Sequence, residues 1–130
     1  MSNNEIIKYW LETSDEDYDT MLILYENKKY SQSLFFGQLV LERLLKAIYL
    51  KKNNAADQAP FTHNLVKLLD GCKIETTSEN RQKLGEITFF NIEARYEDVK
   101  RDFNKKCTKD YTAKQIEHIK GLRKWLKTLI

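Results

Sequence analysis

The chain has 130 residues, 42% of them hydrophobic and 12% aromatic, with a formal net charge of +3. Such a composition argues against a disordered chain, and the length supports one ordinary core without disulfide or metal staples. One Pro and four Gly leave few breaks and favour long helices, so a single domain over residues 1–130 is expected.

The first helix is predicted from about Asn4 to Lys28. Ile6, Trp10, Ser14, Asp17, Met21 and Leu24 fall on one face at helical spacing. Asp17 interrupts that face and is a candidate buried carboxylate. Thr13-x-x-Glu16 offers a capping box for a restarted helix. One continuous helix is preferred, because the apolar face runs through both sides. Asn27-Lys28-Lys29 is the turn, and the second helix is predicted from about Tyr30 to Lys52.

That second helix is apolar nearly all round, as expected for a helix at the centre of a bundle. Gln38, Glu42 and Lys46 stand four apart and form one polar line along it. Buried charges need partners, so Asp17 from the first helix and Arg95 at the end of the fourth are expected to join Glu42 and Lys46. Two meanings stand side by side. One is a satisfied buried network that holds helix register. The other is an anion- or base-binding pocket with Lys46 and Arg95 as phosphate donors.

Asn53 to Ala59 reads as a polar loop closed by Pro60. A short helix is predicted from His63 to Asp70, stopped by Gly71. His63 at its start reads as a residue that hydrogen-bonds across the loop, or that lends a polar group to a site. Thr76-Thr77-Ser78-Glu79 is a capping box for a fourth helix carrying Leu84, Ile87, Asn91 and Ala94 on one face. Arg95 to Lys109 reads as irregular. There Tyr96 beside Arg95 can stack a base while the guanidinium holds its phosphate; alternatively Tyr96 packs on the core and Asp98 pairs with Arg95. Asp110 is taken as the cap of the last helix, and His118 on it reads as surface. No stretch alternates well enough for a strand. The expected fold is all-α: an antiparallel up-and-down bundle of four long helices plus one short one.

Charge is unevenly spread. Residues 1–26 hold seven acids against one base, and residues 95–130 hold eleven bases against five acids. The acidic first helix packing beside the basic last one accounts for this more simply than a basic face for an anionic partner. Cys72 and Cys107 sit in no Cys-x-x-Cys motif, and no run resembles a signal peptide or membrane span. A reduced, cytoplasmic protein without membrane association is expected. No metal-ligand spacing and no Gly-rich phosphate loop is present, so neither metal nor cofactor is implied.

Glu42-x-x-x-Lys46, Thr62-His63-Asn64-Leu65-x-x-Leu68-Leu69 and Ala94-Arg95-Tyr96-x-Asp98 occur in the order seen in HEPN domains. From about Trp10 onward the chain resembles a complete HEPN domain of the small prokaryotic kind. Where this chain has Glu97 the family usually has Pro. RNA-cutting HEPN domains typically carry a His four to six residues after an Arg, and no Arg here precedes His63 or His118 at that spacing. Lys114 stands four before His118, but Lys is not an equivalent phosphate clamp.

Enzymatic activity is therefore not expected. The resemblance implies a non-catalytic nucleotide- or partner-binding module, with RNA or a nucleotide as ligand. It further implies work beside a separate minimal nucleotidyltransferase in a toxin–antitoxin-like pair. The alternatives are a HEPN ribonuclease toxin with a degenerate site and a purely structural homo-oligomeric bundle. A homodimer is also expected, because HEPN domains commonly pair and the chain has fifteen aromatic residues (six Phe, seven Tyr, two Trp). Phe35, Phe36, Tyr49, Phe89 and Tyr111 are its candidate contact patch.

Overall fold

A computed structural model describes residues 2–54, 58–92 and 95–130. Among the described residues it is all-helical, with α1 (Asn3–Glu26), α2 (Tyr30–Lys52), α3 (Leu65–Gly71), α4 (Ser78–Thr88), α5 (Glu97–Lys106) and α6 (Lys109–Lys127). None of these helices is long and apolar enough to cross a membrane.

Ser2 caps α1 by accepting from Glu5 N, and the helix runs unbroken through Thr13. The Thr13 hydroxyl donates back to Tyr9 O at 2.6 Å, so it serves a carbonyl of the preceding turn and starts no new helix. Lys28, at φ 60°, takes the left-handed step that reverses the chain. α2 then packs against both α1 and α6. Gly37 permits the close approach, since a Cβ there would run into Ile119 and Met21. Leu34, Val40, Leu41, Leu44, Leu45 and Ile48 of α2 are buried with Met21, Leu65, Leu68, Leu69, Leu84, Ile87, Ile119 and Leu126. At about 25 cal/mol per Å² of apolar surface removed from water, this burial is the main stabilising term.

The structure differs from expectation at several points. There are six helices among the described residues, not five. α4 is capped by Thr77, whose side chain accepts from Asn80 N, rather than by Thr76. It also ends at Thr88 instead of reaching Ala94, which lies outside the described residues, as does 55–57 of the polar loop. The Thr88 hydroxyl donates to Leu84 O and accepts from Leu65 N. The next amides, Phe89 N and Phe90 N, bond three residues back to Glu86 O and Ile87 O, a tightened last turn.

Residues 97–106, expected to be irregular, form α5. Glu97 and Asp98 in its first turn and Lys105 and Lys106 in its last complement the helix dipole. Val99 and Phe103 stand four apart on one side, with Phe103 against Phe90 at 5.4 Å between ring centroids. Thr108, not Asp110, caps α6 by accepting from Tyr111 N.

Of the aromatic patch expected at the surface, Phe36, Tyr49 and Tyr111 pack against the core and Phe35 is half-buried. Phe89 is 63% exposed, and Tyr96, at 85%, joins the exposed set instead. The acidic and basic ends of the chain do meet: Asp15 of α1 pairs with Lys127 and Arg123 of α6 at 2.8 and 3.2 Å. Cys72 and Cys107 are buried free thiols.

Candidate functional site

α2 carries Gln38, Glu42 and Lys46 at 0%, 4% and 8% exposure. Their spacing stacks them one turn apart, and each finds partners. The Gln38 amide nitrogen donates to Glu42 Oε1 at 3.0 Å and to His63 O at 2.9 Å. Its oxygen accepts from Asn91 Nδ2 at 3.3 Å. Lys46 Nζ donates to Glu42 Oε2 at 3.0 Å, and His63 Nδ1 lies 2.8 Å from Glu42 Oε1. An ionised carboxylate accepts only, so Nδ1 is the nitrogen that donates to Glu42.

The loop before α3 holds His63 in place. Thr62 N bonds to Pro60 O, Asn64 N to Thr62 Oγ1, and Asn64 Oδ1 caps α3 through Val66 N and Lys67 N. Gln38 grips the same loop at the His63 carbonyl. The network thus ties α2 to the segment before α3 and to the segment after α4.

Burial acts to raise the pKa of Glu42. Hydrogen bonds from Gln38, His63 and Lys46 together outweigh it and hold the carboxyl below its ordinary value. Asp17 behaves oppositely: burial raises its pKa despite an ion pair with Arg43 at 2.6 Å. Asp17 therefore belongs to a neighbouring α1–α2 pair. Its partner is Arg43, one residue from Glu42, rather than Lys46 or Arg95.

Arg95 does not join the network. Its guanidinium lies over the Phe89 ring, 5.0 Å from the centroid. Tyr96 is exposed and caps α5 without a side-chain bond. Asp98 Oδ1 accepts from Val99 N at 2.9 Å and forms no ion pair with Arg95 among the described residues. Of the eight residues singled out from the sequence, Gln38, Glu42, Lys46 and His63 meet directly. Asp17 lies beside them, and Arg95, Tyr96 and Asp98 form a separate surface.

Two members of the site were read from the sequence only as helix-face residues. Asn91 is a polar residue on an apolar face, a signal that marks it in hindsight. Trp10 lies under the Lys46 ammonium, 5.4 Å from the ring centroid. With Ile6, Lys46, Gln58, Ala59 and Phe61 it lines a cavity of about 230 Å³. His118 is half-buried rather than fully at the surface. Its Nδ1 is 3.4 Å from Gln115 Oε1, and burial, with Lys83 and Lys114 nearby, lowers its pKa. Among the described residues no three His, Cys, Asp or Glu side chains converge as metal ligands do.

Comparison with known proteins gives two findings. The family model described as HEPN domain matches residues 7–129. A solved structure, the crystal structure of TT1696 from Thermus thermophilus, superposes with a TM-score of 0.78 at 15% identity, over 95% of this chain and 98% of that one. At that identity the likeness concerns the fold. No curated protein matches the chain.

Proposed function

From the premise that the chain belongs to the HEPN domain family, we propose that residues 1–130 form one non-catalytic domain that binds a nucleotide, RNA or a protein partner. Family membership supports a nucleotide- or RNA-related module. The finer reading adds a separate minimal nucleotidyltransferase as partner, a toxin–antitoxin-like pairing, a cytoplasmic location and a homodimer.

The observation that carries the binding reading is the Phe89–Arg95–Tyr96 surface. A guanidinium held over an exposed ring, with a second exposed ring adjacent in sequence, is suited to stacking a base. Glu97 in the next position works against an anion there, so a neutral base edge or a protein partner suits this surface better than a polyphosphate.

The absence of a His four to six residues after an Arg supports the non-catalytic reading, since cleavage of RNA needs both a phosphate clamp and a proton-transfer group. One observation favours the ribonuclease alternative: the exposed His63 imidazole is held by the buried Glu42 carboxylate.

The test is incubation of the purified protein with structured and single-stranded RNA, beside a His63→Ala/His118→Ala variant. No cleavage, with nucleotide binding weakened on Arg95→Ala, is expected. Cleavage by the parent and not by the variant would promote the ribonuclease. Light scattering at micromolar concentration should give about twice the 15.5 kDa chain mass; the single-chain mass would remove the homodimer.

A further inference from the structure

We propose that the cavity between the start of α1 and the loop before α3 is a subsite for one planar, oxo-substituted nucleobase. In it the ring stacks on Phe61 beside Trp10 and its carbonyl accepts from Lys46. This deepens the nucleotide-binding reading above and rests on it, but uses a different surface from Arg95.

Four observations carry the inference. First, Phe61 is 91% exposed although it stands next to Pro60 on a loop pinned by the Glu42 network. It lines the cavity together with Trp10. Aromatic side chains lining a cavity offer a stacking surface for any planar ring.

Second, the cavity volume of about 230 Å³ falls below the roughly 300–1,000 Å³ of sites that enclose whole small molecules. It therefore takes a ring and leaves sugar and phosphate outside.

Third, Lys46 lines this cavity. An ammonium has three N–H donors. Glu42 is its one hydrogen-bond acceptor among the described residues, and the Trp10 face takes part of its charge. A donor is left for the cavity.

Fourth, the Lys46 charge is already balanced by a carboxylate at 3.0 Å. A ligand carboxylate or phosphate placed there would bury a second anion against Glu42, which is costly. A neutral ring carbonyl accepts the same donor without that cost. Guanine, hypoxanthine and uracil have this chemistry.

The test uses the unaltered chain and two ligands that differ at the proposed contact. Inosine carries the ring carbonyl; purine riboside lacks it. Inosine should quench tryptophan emission, and the quench should be absent in Trp10→Phe, which retains Trp125. Purine riboside should bind about 10-fold or more weakly, as for loss of a hydrogen bond to a charged donor. Phe61→Ala, at an exposed position that leaves folding intact, should weaken inosine binding about 5- to 150-fold.

A single-stranded inosine trinucleotide separates the two sources of the base. Tighter binding than inosine assigns the subsite to an RNA strand, and equal binding assigns it to a free nucleoside. No quench at millimolar inosine, equal binding of the two ribosides, or indifference to Phe61→Ala would overturn the proposal. Nucleotide binding that survives Phe61→Ala but is lost on Arg95→Ala would overturn this subsite and leave the broader reading standing.

Discussion

Replacing Lys46 with Met removes one charge from the centre of the bundle and little else. Met keeps an unbranched apolar stem along Trp10, so most of the packing survives. Glu42 is then a carboxylate at 6% side-chain exposure with two donors, Gln38 and His63, in place of three. Breaking a buried ion pair by removing one partner costs roughly 3–5 kcal/mol. The two remaining donors place Lys46→Met at the low end, about 3 kcal/mol. An unfolding entropy of about 2.1 cal/mol/K per residue over this chain converts that into a fall in Tm of about 10 °C. Thermal and urea unfolding followed by far-UV circular dichroism read both quantities. Glu42→Gln in the Lys46→Met background should recover much of the loss, because it neutralises the stranded charge. A positive coupling in the double-mutant cycle, of roughly 1–3 kcal/mol, is expected. A Tm unchanged or raised by Lys46→Met would refute the reasoning, for it would mean that Glu42 does not depend on the ammonium.

Acid titration should separate Glu42 from Asp17. The folded pKa of Glu42 is depressed, so its stabilisation is present above its unfolded value and is lost as pH falls through the folded one. Glu42→Gln should therefore flatten the acid limb of stability against pH. The folded pKa of Asp17 is raised, so its protonation adds stability as pH falls through that value, and Asp17→Asn should steepen the same limb. Urea midpoints between pH 6 and pH 3 check both signs. Burial pushes the Cys72 and Cys107 thiols up to about 11 and about 12. Both should react with a thiol reagent at least about 100-fold more slowly than a free Cys until the chain is unfolded, as a stopped-flow absorbance assay would record.

The helical class is legible in the chain because its signals are local. Apolar spacing in α1, α2 and α6, scarce Pro and Gly, and polar caps at Ser2, Asn64 and Thr108 all act within one or two turns. α5 is legible too once its acidic start, basic end and Val99–Phe103 spacing are weighed against the charge density that makes 97–106 look like a loop. The end of α4 is not. The apolar period continues past Thr88, the residue whose hydroxyl is shared between Leu84 O and Leu65 N, the second contact made across 23 residues.

Among the polar residues, sequence by itself determined which side chains share one line of α2. Positions 38, 42 and 46 must stack on any α-helix, and a helix apolar on its other sides must be buried. Which partners answer them was decided by tertiary structure. Arg43 rather than Arg95 meets Asp17, because α1 lies against that side of α2. His63 and Asn91 reach the line because a loop and a broken helix end are folded over it. Helical periodicity is a property of consecutive residues, whereas the burial and pairing of a charge depend on groups 25 or 53 positions away, whose placement only the packed bundle specifies.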